Sequence, residues 1–373
     1  MKTRAALLRE SPGVYEVAEV ELDTPRQNEL LIKITAAGLC HSDDHMAKGD
    51  IPLPPHPMIG GHEGAGVVQG IGPNTSGWEI GDHVVFSFLP ACGRCRWCAR
   101  GMQHLCDLGA NILVGSRATD VTSFRTHLAD GSPVGQMAGL GTFAEHTVVD
   151  VNSVVKVDKD VPLESVALLA CAVGTGWGSA VNAAEVRPGD TVVVMGIGGI
   201  GMNAVQGAKH AGATHIVAVD PVEWKREKST EFGATAAFAS IEDALPYVHG
   251  LTNGQGADSA IVCVGVTTGE HVGAAYASIR KAGTVVVAGI GDVTAVGVPI
   301  PLGDLTMSNK RIQGALYGQC SPSVDIPMHV DLYRAGQLKL DELITNRYSL
   351  DEVAKAYEDI HAGRNLRGII TFD

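Results

Sequence analysis

With 41 acidic against 28 basic residues in 373, the chain carries a formal charge of −13, which opposes a phosphate backbone and argues against nucleic acid as a partner. The length suffices for two hydrophobic cores, and 46 glycines with only 5% aromatic residues suit a soluble α/β enzyme rich in tight turns.

In chain order, residues 1–10 hold too short an apolar stretch for a signal peptide, so the expected compartment is the cytoplasm. Short alternating strands follow at 29–34 and 64–68, separated by turns such as Ile71-Gly72-Pro73-Asn74, which predicts a β-rich lobe. Two runs in this lobe carry ligand-type side chains, Cys40-His41-Ser42-Asp43-Asp44-His45 and Gly61-His62-Glu63-Gly64. A catalytic zinc needs three protein ligands and one open place, so a thiolate and an imidazole from these runs would need a second thiolate from elsewhere. Cys171 sits in an apolar run, 166–171, and spacing alone does not select it over Cys263 or Cys320.

The next signal is stronger. Cys92, Cys95, Cys98 and Cys106 follow one another at x2, x2 and x7 spacing, which brings four thiolates together on one loop without help from distant sequence. All four positions of a tetrahedral zinc are then filled by protein, so this site is structural.

From about residue 173 the pattern changes to continuous apolar strands alternating with helices: a strand at 191–195, a helix at 199–210, then strands at 215–220, 260–264 and 284–288. This predicts a parallel sheet covered on both faces. Gly196-Ile197-Gly198-Gly199-Ile200-Gly201 lies between the first strand and its helix, and Asp220 ends the second strand. That is the dinucleotide fingerprint with its ribose-binding acid, and an acid there repels a 2′-phosphate, so NAD is expected over NADP. The apolar run 282–303 is broken by Asp292, several glycines, Pro299 and Pro301, so no membrane span is expected. Charged helical segments from about 316 suit a return to the first lobe.

Taken together, these motifs resemble the zinc-dependent medium-chain alcohol dehydrogenases over essentially the whole chain. Residues 85–98, 140–143, 218–227 and 333–338 look most like the NDMA-dependent, nicotinoprotein-type branch. The resemblance implies a GroES-like catalytic domain (1–173, with the zinc lobe at 92–106) interrupted by a Rossmann domain (174–315), the chain returning to the catalytic domain over 316–373, with the active site in the cleft between the domains. It implies Cys40, His62 and Cys171 as catalytic zinc ligands, Cys171 being recognised by the Gly174-Thr175-Gly176-Trp177-Gly178 that follows. It further implies Glu63 as an acid near the metal, Asp43 as the orienter of His62, and Ser42 and His45 as a proton relay ending in an imidazole open to water. Cofactor contacts are expected from His41, Thr175, Gly196, Gly198, Gly199, Ile200, Gly201, Asp220, Lys225 and Arg367, the last toward the phosphates. Where many relatives carry an arginine next to the first ligand cysteine, this chain has His41.

The implied activity is oxidation of small alcohols to aldehydes or ketones. Two zinc ions and a tightly held nicotinamide are expected, the latter recycled by an external redox carrier, in a homodimer or homotetramer. An ordinary dissociable NAD-dependent dehydrogenase, including one acting on formaldehyde adducts of a thiol, is the competing enzyme reading. The stretch after Cys106 lacks the arginine of the glutathione-dependent branch. A non-catalytic nucleotide-binding relative would have little reason to keep the catalytic ligand set, and a zinc interaction module would not account for Asp220 and the glycine turn. Trp177 and Phe88 are candidates for lining the substrate pocket or for simple packing.

Overall fold

The computed structural model describes residues 1–372. Its contacts divide the chain into two compact units, Met1–Cys171 joined by the residues from Ser321 onward, and Ala172–Cys320. The cuts fall after Cys171 and Cys320, whereas the sequence reading placed them after 173 and 315.

In the first unit, Glu29–Gly38 alternates apolar and polar residues, so Leu30, Ile32, Ile34 and Ala36 share the buried face of a strand. The sheet built around it runs Val154–Val157, His83–Phe86, Ala65–Ile71, Glu29–Gly38, Arg367–Thr371, Ile344–Tyr348, with His146–Asp150 also paired to Glu29–Gly38. Leu30, Ile32, Ile34, Val68, Val84, Phe86 and Val149 form its core. Five shorter strands, Lys2–Leu8, Tyr15–Leu22, Thr126–His127, Pro133–Gln136 and Met58–Ile59, close a small barrel beside it. Closure leaves no free edge on that barrel. The last strand matters most for the site: it pairs antiparallel with Glu29–Gly38, Ile369 opposite Gly38, which sets the end of the chain beside the segment leading into Cys40.

The second unit is a six-stranded parallel sheet in the order Ala236–Phe238, His215–Val219, Thr191–Met195, Ala257–Val262, Ile279–Val287, Arg311–Gly314. Every residue of Thr191–Met195 is buried, as expected where helices cover both faces. This strand order is the doubly wound dinucleotide-binding arrangement. The glycine run after Cys171 serves packing: a Cβ on Gly176 would lie 2.1 Å from the carbonyl oxygen of Ile200, so only glycine lets helix Ala172–Gly178 lie against helix Gly199–His210. Among the described residues, no single helix is long and apolar enough to cross a membrane.

Candidate functional site

The first unit gathers Cys40, His62, Glu63 and Cys171, with one donor atom from each lying within 4.8 Å of the others. Cys40 is the N-cap of helix His41–Lys48, at the end of the strand Glu29–Gly38. Cys171 ends the short 3-10 turn Ala167–Ala170, and all four side chains are buried. His62 and Glu63 follow Gly61, whose φ of 87° and whose missing Cβ, otherwise 2.4 Å from Thr142 Oγ1, leave no other residue for that corner.

Asp43 is fully buried one turn into the helix. Its Oδ1 accepts the Gly61 N–H at 2.8 Å, and its Oδ2 lies 2.9 Å from Nδ1 of His62. With Nδ1 facing this carboxylate, Nε2 is the nitrogen left for a metal. Burial by itself would depress the His62 pKa, but the Asp43 carboxylate and the Cys40 thiolate outweigh it and hold the imidazole well above its usual value. Cys40 is held well below the usual thiol range, first by the hydrogen bond from Cys171, while the same bond and burial push Cys171 well above it. Two buried sulfurs this close share a proton, and a divalent cation is what allows both to be thiolates. Two thiolates and one oriented imidazole, with an acid alongside, fit a catalytic zinc.

Glu63 is driven by burial to a pKa of about 7, against the opposing pull of Arg367. The Arg367 guanidinium is itself buried and donates through Nη2 to Oε2 of Glu63. The side chain expected at the cofactor phosphates is thus found on the acid beside the metal ligands. Phe88 stands edge-on to His62, ring centroids 5.6 Å apart, which places it at this site. Trp177 lies in the second unit, buried, with its ring centroid 4.8 Å from that of His210.

Ser42 sits beside the ligand set, its Oγ 3.7 Å from Cys40 Sγ. His45, three residues on, lies on the same face of the helix. The sequence reading made His45 an imidazole open to water, and the structure corrects this: its side chain is 2% exposed, and Nδ1 lies 2.7 Å from Asp50 Oδ2. His41, at the start of that helix, is exposed. Asp44, which reads as a solvated acid in sequence, is buried between Lys48 and His361, each 2.9 Å away.

The four lobe cysteines also converge, their sulfurs within 4.8 Å of one another. Backbone N–H groups turn inward onto them, Cys95 N to Cys92 Sγ at 3.3 Å and Cys98 N to Cys95 Sγ at 3.4 Å. Such bonds, first those from Cys98 and Asp107, lower the Cys95 thiol to about 6, whereas burial lifts Cys98 to about 12. The donor set fits a closed structural zinc.

In the second unit, Gly196 (φ 85°) turns the chain out of strand Thr191–Met195, and Gly198 is the N-cap of helix Gly199–His210 with no side-chain cap. A Cβ on Gly198 would meet nothing within 4 Å, so the turn leaves an open cradle above uncapped N–H groups, a seat suited to pyrophosphate. Asp220 is built into the same turn: Oδ2 accepts the Ile197 N–H at 2.7 Å and Oδ1 the Val222 N–H at 2.8 Å. Arg226 braces the loop from outside through the carbonyls of Asp220 and Pro221. Lys225 is lowered by burial, which the nearby Asp220 partly offsets. Ile200 and Gly201 form the first turn of the helix, and Thr175 is buried in helix Ala172–Gly178.

Fold and sites define a zinc-binding, nucleotide-dependent dehydrogenase, and the comparisons with known proteins agree. Residues 26–159 match the alcohol dehydrogenase GroES-like domain, and residues 199–332 match the zinc-binding dehydrogenase family. The chain is 50% identical over 370 residues to the NDMA-dependent alcohol dehydrogenase of Amycolatopsis methanolica, covering 99% of each chain. It is 44% identical over 372 residues to alcohol dehydrogenase B of Mycobacterium tuberculosis, covering 100% of this chain and 99% of the relative. The crystal structure of benzyl alcohol dehydrogenase from Acinetobacter calcoaceticus superposes with a TM-score of 0.89 at 30% identity, covering 100% of both chains. The chain belongs to the zinc-dependent medium-chain alcohol dehydrogenases.

Proposed function

We propose that the protein oxidises small alcohols to aldehydes or ketones in the cytoplasm, using a nicotinamide that stays bound between turnovers and is re-oxidised in place by an external acceptor. The observation that carries the chemistry is the three-donor set Cys40, His62 and Cys171 with His62 oriented by Asp43. Held by Cys40, His62 and Cys171, a zinc ion would supply Lewis acidity toward the substrate oxygen, and a nicotinamide seated at the glycine turn would supply hydride-accepting capacity. The chain's own part is placement and proton handling. Ser42, against Cys40, receives the hydroxyl proton, and His45 on the same helix face carries it outward. Gly196 to Gly201 seat the pyrophosphate, and Asp220 hydrogen-bonds the adenosine ribose and repels a 2′-phosphate, which favours NAD. Cys92, Cys95, Cys98 and Cys106 hold a second, structural zinc.

Cofactor retention is supported by the full-length identity to an NDMA-dependent enzyme. Desalted protein tests it. An absorption spectrum and mass analysis are expected to show one nicotinamide per chain, and elemental analysis two zincs. Benzyl alcohol should then be oxidised with nitroso-dimethylaniline as acceptor but not with added NAD alone. A desalted preparation free of nicotinamide that turns over steadily with NAD alone makes this an ordinary dissociable dehydrogenase.

A further inference from the structure

Two buried tyrosines from opposite ends of the chain meet at the turn that carries Cys40. Tyr15 opens the strand Tyr15–Leu22, and Tyr357 lies in the helix Val353–His361. Their rings stack with centroids 5.7 Å apart and 24° between the planes, and Phe143 stands edge-on to Tyr15 at the same distance. Each hydroxyl donates to a backbone carbonyl of the turn that enters helix His41–Lys48: Tyr357 Oη to Cys40 O at 3.4 Å, and Tyr15 Oη to Asp43 O at 3.0 Å. A carbonyl has two lone pairs, so such a bond adds to the one the helix itself uses. The same rings seat the other ligand segment. A Cβ on Gly60 would lie 2.5 Å from Tyr15 Cε1 and 2.7 Å from Phe143 Cδ2, and the Phe143 N–H donates to the Gly60 carbonyl at 2.9 Å.

We propose that Tyr15 and Tyr357 are positioning residues of the catalytic metal site, a stacked pair that fixes the Cys40–Asp43 turn against the Gly60–Gly61 corner so that the Cys40 thiolate and the His62 imidazole meet at one ion. The inference rests on the catalytic-zinc reading above. Zinc bonds of about 2.0 to 2.3 Å leave little room for one ligand to drift relative to another. Residues 49–57, which join the two segments, form neither helix nor strand, so the spacing of the ligands has to be set from outside that loop. Asp43 supplies one tie, its carboxylate accepting the Gly61 N–H and facing His62. The tyrosines supply the other: Tyr15 holds the carbonyl of that same Asp43 while its ring lies against Gly60, and Tyr357 holds the carbonyl of the ligand Cys40. Ser42 stands between the two held carbonyls, so its place beside the ligands is fixed by the same pair.

The test compares Tyr15→Phe, Tyr357→Phe and the double variant as full-length holoenzymes, since phenylalanine keeps each ring and removes only the hydroxyl. Each protein is titrated with a competing chelator, and the zinc that remains is counted by elemental analysis. The catalytic zinc is the one whose removal abolishes benzyl alcohol oxidation with nitroso-dimethylaniline as acceptor; the zinc of the four-cysteine lobe, in the same molecule, is the control. Each single variant should hold the catalytic zinc about 3- to 10-fold more weakly, the worth of one neutral hydrogen bond, and the double variant more weakly than either, with the lobe zinc held as in wild type. A double variant that holds both zincs as wild type does overturns the inference and leaves the catalytic-zinc reading standing. Weaker binding of both zincs, together with a lower melting temperature, assigns the hydroxyls to general stability and equally overturns it. A wild-type protein in which no zinc is needed for turnover sinks the catalytic-zinc reading and takes the inference with it.

Discussion

Arg367 donates to the carboxylate of Glu63 across 304 residues of sequence, and both side chains are buried. The pairing exists because the strand Arg367–Thr371 lies beside Glu29–Gly38, with the Leu39 N–H bonded to the Gly368 carbonyl at 3.0 Å. A fixed guanidinium directly behind the acid governs how much negative charge the metal site carries.

Replacing Arg367 by leucine should therefore weaken the site without unfolding the sheet. Burial already lifts the Glu63 pKa to about 7 while Arg367 opposes that rise, so losing the guanidinium pushes it higher and makes the carboxylate harder to ionise. We expect turnover or zinc affinity to fall about 10- to 100-fold, the usual cost of losing a partner behind a metal ligand. Turnover and zinc titration with a competing chelator measure it; wild-type values for both would show that the pairing is incidental.

Cys95→Ser should release the metal of the four-cysteine lobe, since binding energy in such a lobe is folding energy. Elemental analysis is expected to lose one zinc per chain, and the melting temperature to drop by about 2–4 °C for each kcal/mol lost. A variant that keeps its full zinc complement would remove Cys95 from the ligand set.

Asp220→Ala removes an acid that both faces the cofactor seat and accepts the Ile197 and Val222 N–H groups. NAD binding should weaken about tenfold, the worth of one hydrogen bond to a charged group. The preference over NADP should narrow at the same time, because the repulsion toward a 2′-phosphate is gone. Titration of cofactor-stripped protein with both dinucleotides measures this; a wild-type preference for NADP would contradict the role of Asp220.

Glu29→Gln tests a buried network away from both sites. Glu29 Oε1 accepts from Arg117 Nε at 2.9 Å and from Arg125 Nε at 2.8 Å, tying the long segment after the zinc lobe to the sheet. Losing the shared counter-charge takes from the buried Arg125 its ion pair, while Arg117 keeps Asp23 at 3.3 Å, at a cost of about 3 kcal/mol. Burial raises the Glu29 pKa, but Arg125, the Arg26 N–H and Arg117 together bring it below 4.5. The stabilisation is thus complete above that value and is lost as pH falls through the lowered one. Denaturant melts at pH 7 should separate the variant from wild type, and the gap should close in acid. A gap that persists unchanged in acid would show that the carboxylate charge is not its source.

Local spacing alone carried the four-cysteine lobe and the strand, glycine turn and acid of the nucleotide site, because each is closed by neighbours within one or two elements. The parallel sheet was legible for a similar reason, since strands buried on both faces must be continuously apolar. The catalytic constellation was not: spacing gave no ground for preferring Cys171, and only resemblance singled it out. Folding brings together Cys40 at a strand end, His62 at a glycine corner and Cys171 at a turn, contacts made by pairing between distant strands. The same holds for Arg367 on Glu63, which depends on where the last strand enters the sheet. His45 and Asp50 are only five residues apart, yet a helix cap and the packing around it decided that the imidazole is dry and its partner wet. Sequence determines which donors exist and which local turns they sit on; burial, and with it protonation and pairing, belongs to the assembled core.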